Sequence, residues 1–228
     1  MIRASVIAAA LVMLAACNAK PATPAADAAA GAADAGPRDK ADAALLAASD
    51  AFQALSENAY GLTPPRLEAQ VGAAHGAAVG VRAQLSSQAQ TELNGLLTRL
   101  DDGLASDDRA GIALAAVEVY RLLIGGVRHP GKAPPGVGML SYAGLRYDAG
   151  RRANPERWDD MAEAVAIARD QWLAVSPRIK DAALLGQMDK AIADMAAAAA
   201  RRDPKSAGRA AKGELDLIDD LQGYFNKG

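Results

Sequence analysis

Apolar residues at helical spacing are the feature that most constrains how this chain can fold. After residue 40 nearly every segment repeats apolar side chains in steps of three and four, as Leu67, Val71, Ala74 and Ala78 do. This spacing places the side chains on one face of an α-helix. Runs of β-branched or aromatic residues with a period of two, which strands require, are nearly absent. The sequence therefore predicts an all-α protein.

Composition indicates what kind of helical core to expect and excludes one class of partner. Apolar residues make up 51% of the chain, but alanine supplies much of this and aromatic residues only 4%. Helices with such small contact residues can approach one another closely. The formal net charge is −2, and the basic residues are scattered, with no basic stripe interleaved with aromatic residues. We therefore expect no nucleic-acid partner.

A Gly- and Pro-rich break, residues 125–138, divides the chain into two series of about four helical segments. Because proline and repeated glycine disfavour both regular structures, we expect neither helix nor strand there. The sequence thus predicts a bundle of about eight helices. Residues 39–127 would form a first four-helix repeat, residues 128–138 a connector and residues 139–228 a second repeat.

The two series are similar enough to suggest an internal duplication. Pro64 and Pro155 would begin one pair of equivalent helices, and Asp107 and Asp203 another pair. The spacing between partners changes from 91 to 96 residues along this alignment, so it requires an insertion of about five residues in the third helix. Each unit alone would be too small to bury its apolar faces well. We therefore expect the units to pack around a pseudo-two-fold axis.

The N-terminus has the pattern of an exported protein. Arg3 precedes an uninterrupted apolar run from Val6 to Ala16, which is too short for a comfortable membrane span. The run ends in Leu14-Ala15-Ala16-Cys17, which resembles the lipobox of bacterial lipoproteins. The resemblance covers about the first 17 residues. It implies that residues 1–16 are a signal peptide and that Cys17 is lipidated.

The lipobox resemblance also implies a location. The residue after the cysteine is Asn18, where Asp would favour the inner membrane in that family, so the outer membrane is expected, with the protein facing the periplasm. A cysteine with several acyl chains would anchor the protein to the membrane stably. Residues 17–38 are rich in Ala and Pro without a periodic apolar face, which predicts a disordered linker with an end-to-end distance of roughly 25 Å.

Aromatic, basic and acidic residues near the break form a candidate ligand site. Tyr142 and Arg146 are four residues apart and project together from one helix, and Glu118 could face them from the preceding helix. Glu118 has two interpretations, a solvated ion pair with Arg121 or a carboxylate directed into the bundle. The site would offer donors to an anionic or oxygen-rich ligand and an apolar wall. The candidate residues are Glu118, Tyr120, Arg121, Tyr142, Arg146, Tyr147 and Trp158.

Some of these residues also have a purely structural interpretation. Tyr147 and Trp158 lie on apolar stripes and could each belong to the core.

Gly72, Gly76 and Gly80 share one helix face, and each glycine costs about 0.5–1 kcal/mol of helix stability relative to alanine. We expect that a neighbouring helix approaches this face closely; the alternative is a concavity for a ligand.

A duplicated four-helix layout in a lipoprotein resembles the imelysin-type periplasmic proteins, which are linked to iron uptake. The metal motif of that family is Gly-x-His-x-x-Glu. The nearest stretch here, Ala73-Ala74-His75-Gly76-Ala77-Ala78, lacks both the glycine and the glutamate. No metal ligand is therefore carried over, and His75 and His129 stay weak metal candidates.

The sequence favours a binding protein over an enzyme. It has no nucleophile elbow, no zinc His-Glu-x-x-His, no phosphate loop and no nucleotide fingerprint. We expect no catalytic residue and no cofactor. The first hypothesis is a lipoprotein that binds a small molecule or a metal complex, as an accessory to uptake. The alternative is a helical module that docks a protein of the envelope; a broad exposed apolar patch would favour it, whereas a concave pocket containing Tyr142, Tyr147 or Trp158 would favour ligand binding.

Overall fold

The computed structural model describes residues 37–128 and 131–227, so the predicted signal peptide, Cys17, most of the linker and His129 lie outside the described residues. All regular structure within these ranges is helical, which confirms the all-α fold with about eight helices. Among the described residues, no helix has the length and apolar character needed to cross a membrane. The α-helices are α1 (Pro37–Asn58), α2 (Pro64–Val81), α3 (Ser87–Ala105), α4 (Arg109–Gly126), α5 (Pro135–Arg152), α6 (Trp158–Val175), α7 (Ala182–Arg201) and α8 (Pro204–Lys227).

The break between the two helix series is shorter than the sequence predicts. α4 extends through Gly125 and Gly126, and α5 begins at Pro135. Proline is tolerated in the first helical turn, because its missing N–H would have had no partner there. Only residues 127–134 therefore connect the two series.

Pro155 does not begin the helix that the sequence assigns to it, and Pro177 does not begin an α-helix either. α6 begins at Trp158, three residues after Pro155. Pro177 lies in a short 3-10 helix, and α7 begins after Asp181, whose carboxylate accepts the N–H groups of Ala183 and Leu184. An aspartate that caps the first N–H groups of a helix defines its start better than a proline alone.

The same packing order occurs twice. In the first set α1 packs against α2 and α4, while α3 packs against α4. In the second set α5 packs against α6 and α8, while α7 packs against α8. A short 3-10 helix follows the second helix of each set, over Arg82–Gln84 and Ser176–Arg178. α5 also packs against α4 and, less extensively, against α1, so it joins the two sets.

Buried positions repeat in a register that differs from the predicted one. Leu67 and Val81 of α2 are equivalent to Met161 and Val175 of α6, each 94 residues later, and all four are buried. α3 has 19 residues and α7 has 20, so the predicted five-residue insertion in the third helix is wrong. The pairing of Pro64 with Pro155 is wrong for the same reason, because it displaces α2 against α6 by about one helical turn.

Capping geometry fixes the register of the last helix in each set. Asp108 and Asp203 each donate a backbone N–H to the carbonyl five residues earlier. Each carboxylate accepts the N–H three residues later, from Gly111 and from Ser206. Asp203 is therefore equivalent to Asp108, 95 residues earlier, and not to Asp107.

The apolar core crosses the boundary between the sets. The buried cluster built from α1 to α4 also contains Tyr142, Leu145 and Ala149 of α5. On another face of α5, Leu140 and Tyr147 pack with residues of α6, α7 and α8. α5 is thus a core helix of both sets.

The three glycines of α2 do not lie at a helix contact. A Cβ at Gly72, Gly76 or Gly80 would meet no atom within 4 Å. The predicted close approach is wrong, because α2 packs mainly on α1 and buries a different face, which carries Leu67 and Val71. Nothing in the structure explains why three glycines occupy the exposed face.

Close approach occurs at other glycines. A Cβ at Gly103 would lie 2.9 Å from Cγ1 of Ile112, and one at Gly136 would lie 2.6 Å from Cγ2 of Val175. A Cβ at Gly144 of α5 would overlap the carboxyl group of Glu214 in α8. The glycines at which a Cβ would come within 3.0 Å of a neighbouring helix therefore lie in α3 and α5, and not in α2.

Candidate functional site

Four of the candidate residues meet in a polar network between α4 and α5. Tyr142 donates its hydroxyl to Oε1 of Glu118 over 2.8 Å. Arg121 donates Nε–H to Oε2 of the same carboxylate over 2.9 Å. Arg146 donates to the hydroxyl oxygen of Tyr142 over 3.2 Å. Glu118 therefore makes both the ion pair with Arg121 and a contact directed towards the second set.

Carboxylates from two further helices complete this network. Arg121 pairs with Glu92 of α3 over 2.5 Å. Arg146 pairs with Glu163 of α6 over 2.6 Å and with Asp160 of α6 over 3.3 Å. No sequence pattern indicates these partners, because the spacing of residues within one helix does not determine how its neighbours are rotated. We call the following set the seam network: Glu92, Glu118, Arg121, Tyr142, Arg146, Asp160 and Glu163.

Burial and charge fix the protonation states within the seam network. Burial, followed by the hydrogen bond to Glu118, raises the pKa of Tyr142 to about 12. Burial opposes the charge of Arg146, but the neighbouring Tyr142, Glu163 and Glu118 outweigh it and raise the pKa of the guanidinium. At neutral pH Tyr142 is therefore a neutral hydroxyl donor and Arg146 is a cation.

A cleft of about 660 Å³ opens beside the seam network and is lined by residues of α3 to α6. Its lining includes Glu118 and Arg146 of the network. Arg99 and Asp102 also line the cleft, and neither makes an ion pair with another described residue. The charged residues of the lining are Arg99, Arg146, Arg157, Glu92, Asp102, Asp108, Glu118 and Asp160.

The charge of the cleft lining determines which ligands it suits. Carboxylates outnumber guanidinium groups, and both terminal guanidinium nitrogens of Arg146 already donate to Tyr142, Asp160 or Glu163. A simple anion would meet net negative charge. The cleft therefore suits a polar ligand that carries donor or cationic groups, with Arg99 left for an oxygen acceptor.

The other three candidate residues lie outside the seam network. Tyr120 is buried and its hydroxyl contacts the carbonyl of Gly138 at 3.5 Å. Tyr147 is fully buried and donates to the carbonyl of Met195 over 2.9 Å, so its core interpretation is correct. Trp158 is half-buried beside a separate hollow of about 340 Å³ between α6 and α7.

His75, one of the two metal candidates, is not part of the network. Nε2 of His75 lies 3.2 Å from Oδ1 of Asp101 in α3. Across residues 37–128 and 131–227 there is no group of three or more His, Cys, Asp or Glu residues placed to hold a metal ion. His129 lies outside the described residues.

A buried carboxyl group in α8 was missed by sequence reasoning. Glu214 is fully buried, and neither of its oxygens has a hydrogen-bond partner among the described residues. Burial raises its pKa well above the ordinary value of a glutamate. In the register set by Asp108 and Asp203, Glu214 is equivalent to the buried Val119. This equivalence to Val119 places Glu214 on a core face. The predicted pairing of Asp107 with Asp203 instead aligns Glu214 with Glu118, one residue before Val119, and so does not indicate its burial.

Comparison with known proteins finds no relative: no protein family, no curated protein and no solved structure matches this chain significantly.

Proposed function

We propose that this protein is a non-enzymatic lipoprotein of the bacterial envelope that binds a small polar molecule in the cleft beside the seam network. The cleft itself carries the proposal, because it is built from both helix sets and lined by Glu118 and Arg146. Its volume of about 660 Å³ falls within the range of small-molecule sites, about 300–1,000 Å³. A boundary between two units leaves polar side chains that neither unit covers alone.

The seam network would hold the walls of this cleft in place for a ligand. Arg146 connects α5 to two carboxylates of α6, and Arg121 connects α4 to α3. Charged hydrogen bonds of this kind fix the orientation of side chains before a ligand arrives, which lowers the entropic cost of binding. The ligand class that fits is a small molecule with amino or hydroxyl donors; a metal complex that carries such groups is included.

The binding test begins with native mass spectrometry of protein purified from its own envelope, which would identify a bound molecule. Calorimetric titration with that molecule then compares wild type with the double variant Arg99→Gln, Asp102→Asn. Both residues line the cleft but lie outside the seam network, so the fold should be kept. We expect the affinity to fall at least about tenfold.

The control for this titration is the double variant Arg66→Gln, Glu68→Gln on the exposed face of α2. Its affinity should equal that of wild type. Equal affinity of the cleft variant and the wild type would show that the ligand binds elsewhere.

The proposed anchor makes a separate prediction. Cys17→Ser should move the protein from the membrane fraction to the soluble periplasmic fraction, because the lipidated thiol would be lost. The helical circular dichroism should stay unchanged, since Cys17 precedes the first described helix. The measurement is fractionation of cells with immunodetection, and an unchanged membrane fraction would contradict the lipoprotein assignment.

The alternative function, docking of an envelope protein, calls for a broad apolar surface. In the described part of the chain three large apolar side chains are exposed, Leu46, Val79 and Leu173, on three different helices. We therefore do not propose this alternative.

A further inference from the structure

One end of the bundle brings together the start of α1, the connector between α4 and α5, and the end of α8. The N–H of Arg128 in the connector donates to Oδ1 of Asp42 in α1 over 3.0 Å. Nζ of Lys132 in the connector donates to the carbonyl of Asn226 in α8 over 3.4 Å. We call this surface the entry end; it comprises the terminal turn of each helix on this side and the segments that join them.

The segment between α6 and α7 also belongs to the entry end. The N–H of Lys180 donates to the hydroxyl of Tyr224 in the last turn of α8 over 2.9 Å. The guanidinium of Arg178 lies 5.3 Å from the ring centre of Phe225. The basic residues of this segment therefore lie beside those at the end of α8.

The entry end carries a surplus of positive charge. The acidic residues in its terminal turns and joining segments are Asp39 and Asp181, and the carboxylate of Asp181 caps α7. Two further carboxylates lie beside it, Asp42, which accepts the N–H of Arg128, and Asp220, which lines a cleft with Lys132 and Arg178. The eight basic residues of this end outnumber these four acidic residues. Its basic residues are all exposed, and none of them forms an ion pair with a described carboxylate. These basic residues are Arg38, Lys40, Arg82, Arg128, Lys132, Arg178, Lys180 and Lys227.

The opposite end of the bundle, defined in the same way, has no such surplus. There the basic residues equal the acidic residues in number, and ion pairs such as Arg109 with Asp107 and Arg157 with Asp160 join several of them. The whole chain has a formal net charge of −2, so the basic character of the entry end does not follow from composition. The basic residues of this opposite end are Arg66, Arg109, Arg151, Arg152, Arg157, Arg201, Arg202 and Lys205, and the acidic ones are Glu57, Asp102, Asp107, Asp108, Glu156, Asp159, Asp160 and Asp203.

The chain enters the bundle at this same basic surface. α1 begins at Pro37, which follows Cys17 by 20 residues in the sequence. A lipidated Cys17 would therefore attach the bundle to the membrane from the entry end. Exposed Lys and Arg side chains gain attraction to anionic lipids within a Debye length of about 8 Å at physiological ionic strength.

We infer that the entry end is a docking surface for anionic phospholipid headgroups, and that the bundle is oriented with this end against the membrane surface. The inference rests on the proposed lipid anchor but adds a fixed orientation to it. The opposite end would then face away from the anchoring membrane. The cleft beside the seam network, which includes Ser106 and Asp108 of that opposite end in its lining, would stay open to solutes.

The test uses lysines of the protein itself. The lipidated full chain is reconstituted into vesicles of phosphatidylcholine alone or of phosphatidylcholine with about 30% phosphatidylglycerol, an anionic lipid. Acetylation of each lysine by a water-soluble reagent is followed by mass spectrometry. Lys132, Lys180 and Lys227 of the entry end should react at least about threefold more slowly on the anionic vesicles, and about 0.5 M salt should abolish this protection. Lys190, Lys205 and Lys212 are internal controls and should react equally on both vesicles.

Matched variants separate orientation from nonspecific charge effects. Lys132→Gln, Lys180→Gln, Lys227→Gln should remove the protection of Lys40, which also belongs to the entry end. The control Lys190→Gln, Lys205→Gln, Lys212→Gln removes the same charge elsewhere and should leave Lys40 protected.

The outcomes distinguish this inference from the proposed function. Equal protection of all lysines on vesicle-bound protein would overturn the orientation while the lipid anchor stands. If Lys205 were protected from acetylation while Lys132 reacted at its unprotected rate, the orientation would be the reverse of the one inferred. A chain that is not lipidated and does not bind vesicles would contradict the anchor itself, and the orientation would fall with it.

Discussion

At the scale of single residues, Glu214 places a carboxyl group at a core position that is apolar in the first helix set. Its equivalent in the first set is the buried Val119, and the absence of a side chain at Gly144 provides the space for the carboxyl group. A buried carboxylate without partners is strongly unfavourable, so the group stays protonated, as its raised pKa indicates. Above the ordinary pKa of a glutamate, the folded protein therefore keeps a proton at Glu214 that the unfolded chain has released.

This proton makes stability depend on pH in a defined direction. Below the ordinary pKa of glutamate, Glu214 is protonated in both the folded and the unfolded protein, so its ionisation does not change the free energy of unfolding. As the pH rises above that value, only the unfolded state ionises, and the free energy of unfolding falls by up to about 1.4 kcal/mol for each pH unit until the folded pKa is reached. Glu214→Gln removes the ionisable group. The free energy of unfolding of this variant should therefore fall less steeply than that of the wild type between pH 5 and 7.

Urea denaturation at several pH values checks this prediction. The relevant quantity is the difference in slope between the two curves of unfolding free energy against pH. Glu68→Gln, which changes an exposed glutamate of α2, is the control and should give a curve parallel to wild type. A parallel curve for Glu214→Gln as well would mean that the carboxyl group is ionised or solvated in the folded protein.

At the scale of the helix, the same substitution should have opposite effects in α2 and α5. Gly76→Ala adds a methyl group in open space and should stabilise the protein by about 0.5–1 kcal/mol through helix propensity. Gly144→Ala places its methyl group on the carboxyl group of Glu214 and should destabilise the protein by about 1–3 kcal/mol. Chemical denaturation measures both. A destabilising Gly76→Ala would show that another chain or segment covers that face of α2.

The helices could be predicted from the sequence, but their contacts could not. Apolar spacing located the buried face of α2 correctly, because burial and helical period are directly coupled. Proline positions misplaced the start of α6, since proline permits a helix start without requiring one. For the candidate site, the four-residue spacing placed Tyr142 beside Arg146, but Glu92 and Glu163 depend on the rotation of neighbouring helices, which no local pattern encodes.

At the scale of the whole molecule, the helix order repeats but the two sets are not separate bodies. Residues 36–228 form one compact unit. Leu145 of α5 belongs to the core of the first set, whereas Tyr147, two residues later, is buried in the second. The seam network adds charged contacts between α4 and α5. Because α5 completes both cores, unfolding of one set should expose apolar surface of the other.

We therefore predict that a cavity in the first set unfolds the second set as well. Leu100→Ala removes a fully buried side chain from α3 and should cost about 2–5 kcal/mol. Both tryptophans of the chain, Trp158 and Trp172, lie in α6, so their fluorescence reports the second set alone, while circular dichroism reports all helices. The urea midpoint of the variant should fall by the same amount in fluorescence and in circular dichroism, because one cooperative transition includes both sets.

Leu173→Ala, at a side chain that is 73% exposed in α6, is the matched control and should change both midpoints little. An unchanged fluorescence midpoint in Leu100→Ala, with a second transition in circular dichroism, would show that the two sets fold independently.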